Sequence, residues 1–180
     1  MKALAMKICA HTLAVATLAA AHATFAQDGY IQTGEANGLT WTYQVTSEGN
    51  AKLVEFNNSP SIPVSITNDI VIPQTIGGYP VTAIGMFAFL RCNISGVTIP
   101  GSVETIEEMA FLDCNNLTRL KLSEGLKSIG IEAFSGNSSI VDLTIPASVE
   151  LIDEDAFWRC TNLTSITVLG SSTDIDVSAF

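Results

Sequence analysis

Apolar positions recur along this chain at a fixed spacing. Starting at Ile106 the pattern is Ile106, Ala110, Phe111, Cys114, Leu117, Leu120 and Leu122, with polar residues between. It returns as Ile129, Ala133, Phe134, Asn137, Ile140, Leu143 and Ile145, and then as Ile152, Ala156, Phe157, Cys160, Leu163, Ile166 and Val168. An earlier copy runs Ile84, Ala88, Phe89, Cys92, Ile94, Val97 and Ile99, one residue shorter between Cys92 and Ile94, and a fifth stops at Ile175 and Ala179-Phe180. The phenylalanines of these Ala-Phe pairs stand at 89, 111, 134, 157 and 180, in steps of 22, 23, 23 and 23. A constant period in the low twenties marks a solenoid of stacked rungs. The L-x-x-L-x-I part of each rung predicts a short strand with alternate residues pointing inward. The V-x-x-I part, as in Val103 to Ile106 and Val149 to Ile152, predicts a second extended segment. Around each Ala-Phe pair the chain is too short for a full helix, and a single helical or 3-10 turn is expected. No rung buries its apolar face alone, so stability should be shared between neighbours along the axis.

Ahead of the repeats, Leu39 to Val45 alternates apolar and polar residues, a Gly49-Asn50 turn follows, and Ala51 to Phe56 is a second apolar run. This is a β-hairpin pattern. A solenoid needs its first rung covered, so residues 38–66 are expected to form a cap, with Trp41 and Tyr43 closing the core. Ile70-Val71-Ile72-Pro73 matches the strand ends Val97-Thr98-Ile99-Pro100 and Leu143-Thr144-Ile145-Pro146, so it reads as a degenerate rung. Additional residues around Gly77-Gly78-Tyr79-Pro80 predict a protruding turn.

Residues 1–26 carry Lys2 and Lys7, an apolar stretch from Ile8 to about Ala23, and Thr24-Phe25-Ala26 before Gln27. Those are the features of a secretory signal peptide cleaved after Ala26, with Ala23 as the less favoured site. A membrane anchor is the weaker reading, because His11, His22 and the threonines interrupt a stretch that is short for a bilayer. The chain then divides into a leader (1–26), a cap region (27–69) and a repeat region (70–180). Both histidines lie in the leader. Export therefore removes Ser-His-Asp and Cys-His nucleophiles, histidine bases and histidine-ligated zinc, and an enzyme is not expected. It also leaves 18 acidic residues against 6 basic ones. That excess disfavours nucleic acid or an anionic membrane surface as partner, and no repeat has an apolar run able to span a bilayer. No D-x-D-x-D-G calcium loop occurs, so no metal or cofactor is expected.

Cys92, Cys114 and Cys160 each stand three residues after a repeat phenylalanine, and Asn137 takes that place once. Equivalent Cβ atoms on parallel neighbouring strands are about 4.7–4.9 Å apart with parallel vectors, whereas a disulfide wants roughly 3.5–4.5 Å. The cysteines therefore read as small buried core residues, and Asn137 must satisfy its amide on the turn backbone. Outward residues of the strands form two ladders: Gly96, Arg119, Asp142 and Ser165, then Thr98, Lys121, Thr144 and Thr167. Arg119, Lys121, Asp142, Thr144, Ser165 and Thr167 are the candidate ligand site, with the two cations making a positive spot on an acidic surface and Asp142 one rung away. A solvated strand face with a cross-strand ion pair is the plainer reading. Leu90, Leu112, Ser135 and Trp158 form a possible apolar stripe. The acids Glu107-Glu108 and Asp153-Glu154-Asp155 suit the start of a helical turn.

The Ile-Pro strand ends, the Ser-Val-x-x-Ile turns at 102–106 and 148–152, Ala-Phe-x-x-Cys, and Asn-Leu-Thr at 116–118 and 162–164 together resemble the BspA-type leucine-rich repeats of bacterial and some microbial eukaryotic surface proteins. Ile76 to Gly85 resembles the lead-in that such proteins carry before their first full repeat. The resemblance implies a leucine-rich-repeat solenoid, a right-handed superhelix of strands and short turns, behind an N-terminal hairpin cap. It implies a secreted or cell-surface module that binds a protein or glycan, with adhesion as the role of some members. A structural spacer, or a piece of a larger adhesin, is the alternative. This chain is short for the family and ends on Phe180 without a closing cap. Either it belongs to a longer protein or its last rung is protected by self-association, and the plainer reading is fraying of an incomplete repeat.

Overall fold

The structure, a computed structural model, describes residues 25–26, 29–63 and 65–180. The expected leader lies outside the described residues, except for Phe25–Ala26. These two form β1 and pair antiparallel with the start of β2 (Gly29–Ala36). β2 turns into β3 (Leu39–Val45) across Asn37-Gly38, both left-handed at φ 52° and 75°. Two consecutive positive φ values make the mirror-image turn whose twist matches that of the flanking strands, which is why Asn-Gly sits there. β4 (Ala51–Leu53) completes an antiparallel meander. The expected hairpin is therefore present, with one more strand, β2, on its outer side.

β5 (Asp69–Val71) is the degenerate rung, and β6 (Thr75–Ile76) forms a small hairpin with β7 (Tyr79–Ile84) across Gly77-Gly78. From there four-residue and two-residue strands alternate: β8 (Gly96–Ile99), β9 (Thr105–Ile106), β10 (Arg119–Leu122), β11 (Ser128–Ile129), β12 (Asp142–Ile145), β13 (Leu151–Ile152), β14 (Ser165–Val168) and β15 (Asp174–Ile175). The two-residue strands join β7 in one continuous parallel run, β7-β9-β11-β13-β15, to which the cap is welded by parallel pairing of β4 with β7. The four-residue strands do not form one sheet. β8 and β10 join the three-residue β5 in the order β10-β8-β5, and β12 and β14 pair separately.

Between the strand faces the repeat phenylalanines stack. Neighbouring rings of Phe89, Phe111, Phe134, Phe157 and Phe180 lie 4.6, 5.0, 5.3 and 5.2 Å apart and within 6° of parallel. Such spacing suits aromatic pairs. Trp41 meets Phe89 edge-on at 6.4 Å and is fully buried, with its indole N–H donating to Ala36 O at 2.8 Å. The cap thus closes the aromatic column as well as the sheet, as expected of Trp41. Tyr43 beside it is buried and donates to Gln32 Oε1.

The expected helical turns are not found: the described residues contain no α or 3-10 helix. Each Ala-Phe segment is instead a run of tight turns with two left-handed residues, at 87 and 91, 109 and 113, 132 and 136, and 155 and 159. The hydrogen bonds explain why. Ala110, Ala133 and Ala156 bond back three residues within their own turn. The next N–H, that of Phe111, Phe134 or Phe157, donates to the alanine carbonyl of the following rung at 2.7–2.8 Å. A helix would turn every amide inward along its own axis. Here alternate amides are used to knit rungs together.

The three repeat cysteines, Cys92, Cys114 and Cys160, are unpaired and buried, as expected. Their position also has a polar duty. Cys114 Sγ donates to Phe89 O at 3.0 Å and Cys160 Sγ to Phe134 O at 3.3 Å, each capping a carbonyl of the rung before. Asn137 does the same with its amide, donating to Phe111 O at 2.8 Å and Phe134 O at 2.6 Å, while its Oδ1 is buried with no partner.

Candidate functional site

On the strand face, pleating puts Arg119, Lys121, Asp142, Thr144, Ser165 and Thr167 outward, and all six are exposed. The ladders follow the expected register within each half of the face: Arg119 beside Gly96 and Lys121 beside Thr98, then Asp142 beside Ser165 and Thr144 beside Thr167. No ladder joins β10 to β12. The expected ion pair from Arg119 toward Asp142 is therefore replaced by a longer-range one.

Arg119 reaches back across β8 to Asp69. Its Nε donates to Asp69 Oδ2 at 2.9 Å and its Nη2 to Oδ1 at 2.5 Å, a two-pronged contact of guanidinium on carboxylate. Ser95 Oγ donates to the same Oδ1 at 2.7 Å. The Arg119 and Ser95 hydrogen bonds hold the Asp69 carboxyl below its ordinary range, and the same contact with Asp69 raises Arg119. Gly96 makes the crossing possible, since a Cβ there would lie 2.7 Å from Asp69 Oδ1 and 2.8 Å from its Cγ. The bridge ties β5, β8 and β10 into one patch.

Nothing comparable spans β10 and β12. Ser123 N–H donates to Ile99 O and Leu169 N–H to Ile145 O, but the equivalent position between them is Pro146, which has no N–H to give. Pro100 is equally mute at the β5–β8 step, where the Asp69 bridge and an Ile72 N–H bond to Thr98 O keep the strands paired. At the split, Leu120 and Leu122 are only half-buried, whereas Val97, Ile99, Leu143 and Ile145 on either side are buried. A shallow groove of about 640 Å³ opens along this face, with Arg119, Lys121, Asp142 and Thr144 in its lining. Ser165 and Thr167 stand one strand beyond it on β14. Arg119 is neutralised by Asp69. Lys121 and Asp142 make no ion pair or side-chain hydrogen bond among the described residues. They are the open charges of the groove.

Asp69 is the strand-face residue that sequence reasoning missed. The signal was available, because Asp69 precedes Ile70 as Arg119 precedes Leu120, so the ladder extends one rung earlier than Gly96. The other candidate groups have structural duties. Glu107 pairs with Lys52 at 3.1 Å and accepts the Met86 N–H, and Asp153 accepts the Glu154 N–H, so these acids order turns and no helix dipole is involved. Asp176 does likewise for Ser178, whose backbone and hydroxyl bonds lower the carboxyl. Of the apolar stripe, Leu90 and Leu112 are half-buried, Ser135 is buried, and Trp158 is exposed with Arg159 stacked 4.2 Å over its ring. Burial pushes the Cys92 thiol up to about 12 and that of Cys160 to about 11, and raises Cys114 further. No group of His, Cys, Asp and Glu among the described residues could hold a metal ion, and no described helix is long and apolar enough to cross a membrane.

Residues 67–180 match the BspA type leucine rich repeat region in six copies. Among solved structures, a leucine-rich repeat protein from Bacteroides capillosus is 34% identical at a TM-score of 0.63, with 77% of this chain and 99% of that one covered. A leucine rich repeat protein of T. pallidum is 26% identical at a TM-score of 0.56, over 74% of this chain and 70% of that one. A leucine rich cell surface protein from Faecalibacterium prausnitzii is 22% identical at a TM-score of 0.54, and this chain spans 44% of its length. None of the curated proteins matches.

Proposed function

The chain belongs to the BspA-type leucine-rich repeat family, and from that premise we propose that it is a non-catalytic binding module of the cell surface or exterior, taking a protein or glycan on its strand face. The observation that carries the reading is the open pair of charges, Lys121 and Asp142, on an outward-facing groove of about 640 Å³. Solenoids commonly bind through such a ladder-lined face. The lack of histidine after residue 26 and the raised, buried thiols support a role without covalent or acid–base chemistry. Export follows from the leader features of residues 1–26, and the surface location agrees with the family.

The test is a panel of immobilised glycans and surface proteins probed with purified protein. Saturable binding to a panel member should be lost in Lys121→Glu and kept in Lys127→Glu, because Lys127 pairs with Glu150 away from the groove. Saturable binding that Lys121→Glu leaves unchanged contradicts the strand-face site. No saturable binding at all points to the spacer reading instead.

A further inference from the structure

Resting on that reading, we infer that the ligand of the strand-face groove is an extended peptide segment of a partner protein carrying one acidic and one basic side chain. The argument begins with what is neutralised. Arg119, Asp69 and Ser95 satisfy one another, so that cluster offers no net charge to a ligand. Lys121 at the end of that patch and Asp142 at the start of the next are left open on the two sides of the unpaired step. They are of opposite sign. A ligand that answers both must carry a carboxylate for Lys121 and a cation for Asp142. Neutral and acidic oligosaccharides have no cation to offer, whereas a peptide supplies both signs from ordinary side chains.

Two further features point the same way. Among the described residues no aromatic side chain lines the groove, so they offer no flat platform on which sugar rings stack. The lining is instead aliphatic and hydroxylic: Leu120 and Leu122 lie half open beside Thr98 and Thr144. The groove also continues. Asp69, Ile70 and Val71 line both it and a second depression of about 450 Å³ that ends at the Asn37-Gly38 hairpin tip, which Asn37 Nδ2 pins to Val71 O at 2.9 Å. Val71 in that stretch is 52% exposed. The result is a track running from the cap across β5, β8 and β10 to β12, suited to a linear chain. The excess of acids, 18 against 6 basic residues after residue 26, repels a uniformly anionic ligand and leaves Lys121, the groove's cation without an ion pair among the described residues, to select the position of an acid.

The test uses a displayed library of random linear octapeptides panned against the whole protein, with Lys121→Glu, Asp142→Lys and the double reversal as counter-targets. Both positions are exposed on strands, so folding is checked by comparing circular dichroism melts. The expected result is enrichment of peptides with an acid and a base at fixed spacing. Each single reversal should weaken them at least tenfold, and the double reversal should select the same spacing with the charges exchanged. Peptides that bind the reversals as well as the wild type overturn the inference, as does an absence of enrichment. If an oligosaccharide binds saturably and Lys121→Glu abolishes it while no peptide is enriched, the proposed function stands and the inference falls. If neither class binds, both fail.

Discussion

The turn side and the strand face of this solenoid are built from the same repeats and behave differently. On the turn side every rung is bonded to the next: the two-residue strands continue β7 without a break to β15, alternate turn amides donate forward, and five phenylalanines stack in register. On the strand face the ladder parts between β10 and β12, and among the described residues only the Asp69–Arg119 bridge binds long strands that are not neighbours. Continuity on one side fixes the pitch, so the other side can vary without unfolding the stack.

The contrast can be broken most severely at the column. Phe134→Ala, in its middle, should lower stability by about 3–5 kcal/mol in urea titration, the range for emptying a phenylalanine site in a packed core. Phe180→Ala should cost clearly less, because that ring is 47% exposed and stacks on one side only. Equal losses would mean that the column is not the common support.

The next effect comes from the thiols. Cys92 and Cys160 ionise only near 12 and 11 when folded, against about 8.5 for a free thiol. Stability is then full below pH 8.5 and declines between the unfolded and folded values, at up to about 1.4 kcal/mol per pH unit for each thiol. Iodoacetamide at pH 8 should leave both unmodified in the native protein and modify both in urea. Rapid native labelling would show that the turns open locally.

Smaller still is the defect at Asn137. Replacing it with Cys, the residue that Cys114 and Cys160 supply at equivalent positions, removes a buried acceptor without a partner. Asn137→Cys should stabilise by about 1 kcal/mol, since an unmet buried polar group costs about that much or more. A loss would show that the second amide bond outweighs the orphaned oxygen. Asp69→Asn should have the smallest global effect. The folded carboxyl lies below its usual range, so its contribution is present above the unfolded value near 4 and fades as pH falls through the folded one. Wild type and Asp69→Asn should converge in acid and separate slightly at neutral pH, and separation at both would place the effect elsewhere.

Much of this was legible in the residues. The Ala-Phe register located the column, the outward ladders within each half were correct, and the cysteines' place in the core followed from strand spacing. Three features were not read. The helical turn was expected from local chain length, but alternate amides are drawn to the next rung, a tertiary demand that local spacing does not carry. β2 is not evident although Asn37-Gly38 announces a hairpin, because its strand Gly29–Ala36 mixes glycine, polar and apolar residues without a strong alternation. The Asp69–Arg119 bridge spans 50 residues and depends on Gly96 having no side chain, which is visible only once the degenerate rung is placed in the ladder.

The most direct test is amide hydrogen exchange resolved by residue. The continuous turn side predicts slow exchange at Phe111, Phe134 and Phe157, whose amides donate to the next rung. The split predicts faster exchange for the amides of β10 and β12 that face each other than for those along the paired β8–β10 and β12–β14 steps. Uniform protection across all four long strands would contradict the account, since it would mean that the strand face is one sheet and that its groove is closed.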